Sequence, residues 1–112
     1  MLTLNDAKAI YVYPGTTDMR YGINALYSLA DQPEEKTMHV FCGRTRRIIK
    51  ILMADDGCVY LLQKRLTTGK FVWPETGEIS LVDVAQLAQI IDGMTVVRRI
   101  EEGGRIRKRL IG

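Results

Sequence analysis

The chain has 112 residues, which is enough for one domain with one hydrophobic core. Hydrophobic residues make up 46% of it and charged residues 26%, a balance typical of a globular protein and not of a disordered, collagen-like or disulfide-stapled chain. Its 16 basic residues exceed its 13 acidic ones, which gives a formal net charge of +3. A charge this small identifies no partner by itself, so its distribution along the chain matters more.

The sequence carries no signals for a membrane or for export. No stretch of it is apolar for the length that a membrane span requires. The first residues lack the basic and apolar regions of a secretory signal, so we expect no secretion. Cys42 and Cys58 are too few for a disulfide framework or a zinc site. We therefore expect reduced thiols and a cytoplasmic protein.

The first third of the chain predicts one strand and one helix. Residues 9–13 are β-branched and aromatic, and Pro14 and Gly15 end them with a turn. Asp18 is positioned to cap a helix with apolar residues at spacings of three and four. These residues are Met19, Ile23, Leu26, Tyr27 and Ala30. Gly22 is unfavourable inside a helix, and a close backbone contact would explain its presence.

The middle of the chain predicts a run of antiparallel strands. We expect strands at residues 38–42, 46–53 and 58–66. The Asp-Gly pair at 56–57 joins the last two in a hairpin, because this pair supplies the positive φ that such turns require. A further short strand is predicted at residues 70–73.

The C-terminal part predicts a second helix and a tail. Ser80 is the expected N-cap of this helix, and Gly93 is placed to end it. We expect one domain at residues 1–94, followed by a basic C-terminal hairpin or tail at residues 95–112. The elements together predict an α+β fold, an antiparallel β-meander of about four to six strands with two helices against one face.

Basic residues cluster in the middle of the chain. Between residues 44 and 70 the only carboxylates are Asp55 and Asp56, both at the predicted hairpin turn. The cations of this segment are Arg44, Arg46, Arg47, Lys50, Lys64, Arg65 and Lys70. Seven cations against two carboxylates give the segment +5, which exceeds the +3 of the whole chain. The rest of the chain is therefore acidic, and the protein is dipolar.

Strand geometry predicts that some of these cations share one face of the sheet. Side chains alternate along a strand, which places Arg46 and Lys50 on the same side. A two-residue hairpin loop sets Ile48 opposite Arg65, whereas a three-residue loop sets it opposite Lys64. In either register three cations share a face without a carboxylate. An anionic partner would relieve their repulsion, and phosphate is the commonest such anion.

This basic surface has three interpretations at the level of sequence. The cations are solvated and protect an exposed sheet, or they contact nucleic acid, or they bind an acidic protein surface. Among the nearby aromatic residues, Tyr60 and Phe71 are expected in the core. Trp73 stays open between the core and a contact with a base or a partner.

The sequence offers no site for catalysis. His39 is the only histidine and lies in a predicted strand, where we expect a structural role. With one histidine and two cysteines no metal site can be built from the usual ligands, and no glycine-rich phosphate loop is present. An enzyme would need a pocket that brings His39 within hydrogen-bond reach of a cysteine. We therefore expect no catalytic residue, no metal and no cofactor.

Three segments in a fixed order carry a resemblance to a known family. They are Thr17–Ile23 (TDMRYGI), Val40–Leu52 (VFCGRTRRIIKIL) and Gln63–Pro74 (QKRLTTGKFVWP). Over residues 10–94 the chain resembles the Orf-two, TnpB-type accessory proteins encoded by bacterial insertion sequences of family sixty-six. It departs from the family pattern at Gly43, where a basic or polar residue is more typical.

The resemblance implies a small non-catalytic partner of a transposase encoded in a neighbouring reading frame. The family's basic positions coincide with the seven cations named above, so we expect these residues to contact DNA during transposition. The alternative is an adaptor that binds the transposase without touching DNA. Trp73, the second helix or the tail would then form the interface, since aromatic residues and arginine dominate such contacts.

Overall fold

The fold is built on a five-stranded sheet, which a computed structural model describes within residues 3–92. A short 3₁₀ turn at Leu4–Asp6 comes first. The elements that follow are β1 (Ala9–Val12), α1 (Ile23–Leu29), β2 (Thr37–Cys42), β3 (Ile48–Asp55), β4 (Cys58–Arg65), β5 (Ser80–Val82) and α2 (Val84–Asp92). The order of the strands across the sheet is β4-β3-β2-β1-β5.

The predicted α+β class is confirmed, and the sheet is mixed but mostly antiparallel. Strands β1 and β2 are its parallel pair, because the chain between them crosses over through α1. The sheet is therefore not a pure antiparallel meander. Residues 70–73 do not form the predicted strand. The additional strand is β5, which pairs with β1 along Ile10–Val12.

The β3–β4 hairpin has the shorter of the two loops considered above. Asp56 and Gly57 both have positive φ, at 55° and 71°, as a two-residue turn of the kind that matches strand twist requires. Ile48 therefore pairs with Arg65, and Asp55 pairs with Cys58 at the turn. Since partners on neighbouring strands share a face, this register places Lys64 and Arg65 on opposite faces of the sheet.

Strands β2 and β3 are buried on both faces. One face, which we call the α2 face, packs against Leu87 of α2. Its core consists of Ile10, Val12, Met38, Val40, Cys42, Ile49, Ile51, Met53, Phe71 and Trp73. The other, the α1 face, packs Phe41 and Leu52 against Leu26 of α1. The helices therefore lie on opposite faces, and the expectation of two helices against one face is wrong.

The start of α1 differs from the prediction. Gly22 is the N-cap residue and no side chain caps the helix. Asp18 instead accepts hydrogen bonds from the Arg20 backbone N–H at 2.9 Å and from its guanidinium Nη2 at 2.6 Å. A Cβ added to Gly22 would meet no atom within 4 Å, so no close contact explains this glycine. Its position ahead of the first turn explains why the chain tolerates it.

Gly43, where the chain departs from the family pattern, follows β2 directly. A Cβ at this position would lie 2.5 Å from Cγ of Met19. Met19 packs against the core of the α1 face, so it cannot simply move away. The small residue at 43 and the methionine at 19 therefore fit each other, and they connect two of the three family segments.

The second helix begins three residues later than predicted. The Asp83 carboxylate accepts the Gln86 backbone N–H at 2.8 Å, and the Gln86 amide oxygen accepts the Asp83 N–H at 2.8 Å. This reciprocal pair is a capping box, and it places the N-cap at Asp83. Ser80 cannot serve as the cap because it belongs to β5. The predicted helix end at Gly93 and the predicted tail at residues 95–112 lie outside the described residues.

Candidate nucleic-acid interface

Six of the seven predicted cations lie at one end of the sheet. The β2–β3 connection and the segment after β4 meet there, because β3 begins where β4 ends. The Leu66 N–H donates to the Arg47 carbonyl at 2.8 Å, and the Phe71 N–H donates to the Arg46 carbonyl at 2.7 Å. These bonds fix the two segments against each other. We call this region the basic end; its cations are Arg44, Arg46, Arg47, Lys64, Arg65 and Lys70.

Three arginines of the basic end are free to meet an anion. Arg44, Arg47 and Arg65 are exposed, and none of them forms an ion pair within residues 3–92. Lys64 is half-buried and Lys70 is exposed beside them. A guanidinium presents a planar fork of N–H donors that matches the oxygens of a phosphate. The arrangement can therefore bind a polyanion.

Arg46 has a structural role instead. It lies in the loop before β3, with a positive φ of 63°. Its Nη1 donates to the Gly15 carbonyl at 2.8 Å, and its Nη2 lies 3.1 Å from Oε1 of Glu75. Only 12% of its side chain is exposed. Arg46 thus joins three segments of the chain, and the expectation that it projects without a counterion from a strand is wrong.

Lys50 lies inside the protein. It belongs to the α1 face of β3, is only 8% exposed, and its Nζ donates to the Tyr21 carbonyl at 2.8 Å. Hydrogen bonds from Arg20 lower the pKa of Asp18 to about 2, and the positive charge of Lys50 makes a smaller contribution in the same direction. The alternation of side chains predicted the face correctly. It did not predict that the segment before α1 covers that face, so Lys50 is not an open cation.

Trp73 is a core residue and not a surface contact. It is 6% exposed and belongs to the core of the α2 face. Its indole Nε1–H donates to the Tyr13 carbonyl at 2.9 Å, which satisfies the only polar group of the ring. The structure therefore gives no reason to assign Trp73 to a partner interface.

The opposite end of the sheet is acidic. The β3–β4 turn and the loop before β2 meet there, and the Gly57 N–H donates to the Glu35 carboxylate at 3.2 Å. The carboxylates of this end are Asp31, Glu34, Glu35, Asp55 and Asp56. One length of β4, eight residues or roughly 26 Å, separates this acidic end from the basic end. The dipole inferred from the sequence therefore runs along the strands.

An apolar groove on the α1 face was not predicted from the sequence. Two adjacent cavities of about 400 and 610 Å³ share Tyr13 and Ile79 in their walls. We define the apolar groove by four exposed apolar side chains that line these cavities: Tyr21, Leu29, Ile79 and Leu81. The cavity walls also include the carboxylates of Asp18, Asp31, Glu34 and Glu78. Of the apolar residues that predicted this helix, Leu26 is the fully buried one, and Ile23 and Tyr27 are exposed.

His39 lies in the wall of this groove with its hydrogen bonds satisfied. The Thr37 hydroxyl donates to the Glu34 carbonyl at 2.6 Å, so it accepts from Nε2–H of His39 at 3.1 Å. Nδ1 then accepts from the Tyr13 hydroxyl at 2.8 Å. Burial lowers the pKa of His39 to about 4 and raises the pKa of Tyr13 to about 12. Both side chains are neutral at pH 7, and their role is structural.

The described part of the chain shows no assembled centre for other chemistry. The walls of the cavity that contains His39 include no cysteine. No three His, Cys, Asp or Glu side chains within residues 3–92 come together in a way that would hold a metal ion. Neither of the described helices has the length and apolar character needed to cross a bilayer. The basic end and the apolar groove are the features that require a functional explanation.

These features define a small α+β protein with charge separated along its sheet. The chain belongs to the IS66 Orf2-like family, whose profile, described as "IS66 Orf2 like protein", matches residues 8–101. It is also 32% identical over 101 residues to "Uncharacterized protein y4hO" of Sinorhizobium fredii (strain NBRC 101917 / NGR234), an alignment that covers 84% of this chain and 87% of that relative. No solved structure matches the chain. The resemblance drawn from the three segments is thus confirmed.

Substitutions of Lys50 test its burial. Lys50→Met keeps the stem and leaves the Tyr21 carbonyl without its donor, and we expect it to cost about 1–3 kcal/mol of unfolding free energy. Lys50→Glu places a carboxylate against that carbonyl, and we expect a cost of about 3–5 kcal/mol. Urea unfolding measures both changes. A cost below about 0.5 kcal/mol for each variant would be the behaviour of an exposed site and would contradict this geometry.

The pKa of His39 predicts a loss of stability in acid. The unfolded chain binds a proton on this ring near pH 6.5, whereas the folded protein does so only near pH 4. Stability is therefore full above about pH 6.5 and falls as the pH drops toward 4, by on the order of 3 kcal/mol. Urea unfolding at about pH 7 and pH 4.5 should show a smaller difference for His39→Gln than for the wild type. Equal differences would refute this role of His39.

Proposed function

We propose that this protein assists transposition by contacting DNA through its basic end, as a non-catalytic accessory protein in the bacterial cytoplasm. The family supplies the context, because an insertion sequence is a DNA element. The observation that supports the DNA contact is the group of exposed arginines Arg44, Arg47 and Arg65, which form no ion pair with any residue from 3 to 92. Phosphates carry the charge density that such a cluster would neutralise.

The backbone of the basic end favours this contact. Hydrogen bonds between the β2–β3 connection and the segment after β4 hold the arginines on a rigid frame, so binding costs little backbone entropy. Contacts with phosphate set the position of a protein on DNA but do not read its sequence. We therefore expect affinity without strong sequence preference.

The proposed surface is smaller than the set of cations in the sequence. Lys50 is buried and Arg46 is held by Gly15 and Glu75, so neither belongs to it. The residues that remain are Arg44, Arg47, Lys64, Arg65 and Lys70. Charge reversal of Lys50 or Arg46 would unsettle the fold and would not test DNA binding.

A charge-matched pair of variants tests the DNA contact. The variant Arg44→Gln with Arg47→Gln removes two cations from the basic end. Its control, Lys8→Gln with Lys36→Gln, removes two exposed cations near the acidic end. Fluorescence anisotropy with duplex DNA over a range of salt gives the slope of log affinity against log salt. We expect the slope to fall by about 1.8 in the first variant, or about 0.9 for each phosphate that the protein no longer neutralises, and to stay unchanged in the control.

An equal change of the salt slope in both variants would contradict the proposed DNA contact. In that case affinity depends on net charge and not on a defined surface. Wild-type protein that shows no salt-dependent binding at all would have the same consequence. Circular dichroism of both variants verifies that each remains folded.

The apolar groove supports a second candidate function, an adaptor that binds the transposase of the same element. Leu81 is 67% exposed and lines one cavity with Ile79, and Ile79 lines the adjacent cavity with Tyr21 and Leu29. Contiguous exposed apolar side chains in a small protein mark an interaction surface. The groove and the basic end are separate, so a protein contact at one and a DNA contact at the other are compatible.

Co-purification tests the adaptor. The variant Ile79→Asp with Leu81→Asp places two charges in the groove, and we expect at least a tenfold loss of transposase binding in high salt after nuclease treatment. Val72→Asp is the control, because Val72 is also an exposed apolar residue but lies away from the groove. Retention of the transposase by the groove variant, or an equal loss in the control, argues against an interface at the groove.

A further inference from the structure

Strand β4 forms one edge of the sheet, and no described strand pairs with its outer side. The Leu66 N–H bonds to Arg47 across the hairpin, so Leu66 and every second residue before it direct their backbone groups toward β3. The residues between them direct their backbone N–H and C=O groups outward. These are Val59, Leu61, Gln63 and Arg65.

This edge lacks most of the features that keep an edge strand from pairing. The β3–β4 register is continuous from Ile48–Arg65 to Asp55–Cys58, so no bulge twists the edge away. The strand contains no proline, and its cations lie only at its C-terminal end. Its centre is apolar, with Leu62 at 48% exposure. β4 is thus a regular strand of eight residues open to another strand.

The charges at the two ends of β4 favour a second copy of the same strand as its partner, and they favour an antiparallel orientation. The strand begins beside the acidic turn of Asp55 and Asp56, and it ends at Arg65 in the basic end. A second β4 laid antiparallel brings the arginine of each copy to the acidic turn of the other. A parallel arrangement would bring like charges together. The edge is therefore complementary to itself under a two-fold rotation, which is the symmetry of the commonest homodimers.

We propose that two copies of this chain pair antiparallel along β4 and join their sheets into one. A two-fold axis perpendicular to the sheet pairs residues of the same face, and the apolar centre places Leu62 opposite Leu62 of the second copy. In this register Leu61 meets Gln63 of the second copy, and Val59 meets Arg65. All four have outward backbone groups, so the ladder of hydrogen bonds continues across the dimer.

A proline at the edge tests the pairing. The backbone N–H of Gln63 points outward and takes no part in the β3–β4 ladder, so Gln63→Pro blocks a second strand without removing a bond of the fold. Light scattering coupled to size exclusion should show a dimer for the wild type and a monomer for Gln63→Pro. Gln63→Thr is the control and should remain dimeric. Neither substitution changes the charge, so the DNA contact proposed above is tested separately.

Cross-linking supplies a second measurement if the proline variant does not fold. Leu62→Cys in a Cys58→Ser background places two thiols at the proposed centre, within the separation that a disulfide requires. We expect rapid formation of a covalent dimer. Leu81→Cys in the same background is a control on the groove, where the side chain is more exposed than Leu62 (67% against 48%), and it should remain monomeric.

Three results would overturn the dimer. The first is a wild-type monomer at about 100 µM, a concentration at which even weak specific interfaces are populated. The second is a dimer that Gln63→Pro leaves intact. The third is cross-linking at Leu81→Cys as fast as at Leu62→Cys. Dissociation of the wild-type dimer by salt supports the pairing of unlike ends, since exposed charges are screened.

Discussion

Burial of β2 and β3 on both faces is the constraint on which the rest of the structure depends. The middle of the sheet carries α2 on one side and α1 with its preceding segment on the other, so no cation there can remain in water. Lys50 meets this constraint by donating to the Tyr21 carbonyl. The exposed arginines sit where the strands end and the cover stops. The separation of charge along the sheet is therefore consistent with this packing, because the middle of β2 and β3 is covered and the loops at their ends are not.

This arrangement gives the molecule three separate surfaces. The basic end lies where β2 turns into β3, the apolar groove lies on the α1 face, and the open edge lies along β4. Lys64 and Arg65 belong to two of them, since they end the edge strand and also lie in the basic end. The proposed DNA contact, the proposed protein contact and the proposed dimer would thus use different sides of the molecule, apart from the residues shared by the basic end and the edge.

The sequence predicted best those features that depend on a few neighbouring residues. The Asp-Gly pair determines its own turn, and the two-residue register of the hairpin follows from it. Features that depend on contacts between distant segments could not be predicted from the sequence. Ser80–Val82 forms a strand by pairing with β1, which is distant in the sequence. The local pattern does not show this pairing, so these residues were predicted as the start of the helix. Alternation placed Lys50 on the correct face, but it carries no information about what covers that face. The family segments were recognisable because they are contiguous, whereas the groove is assembled from residues far apart in the chain.

The neutral imidazole of His39 in the groove wall affects how the charge of this protein depends on pH. His39 is the chain's single histidine, and histidine is the side chain that ordinarily changes charge between pH 5 and 8. With its pKa near 4, it stays neutral near neutral pH and adds no charge to the sheet. Dissolved salt therefore changes the attraction of the two charged ends for other molecules, through screening, whereas protonation of this imidazole near neutral pH does not.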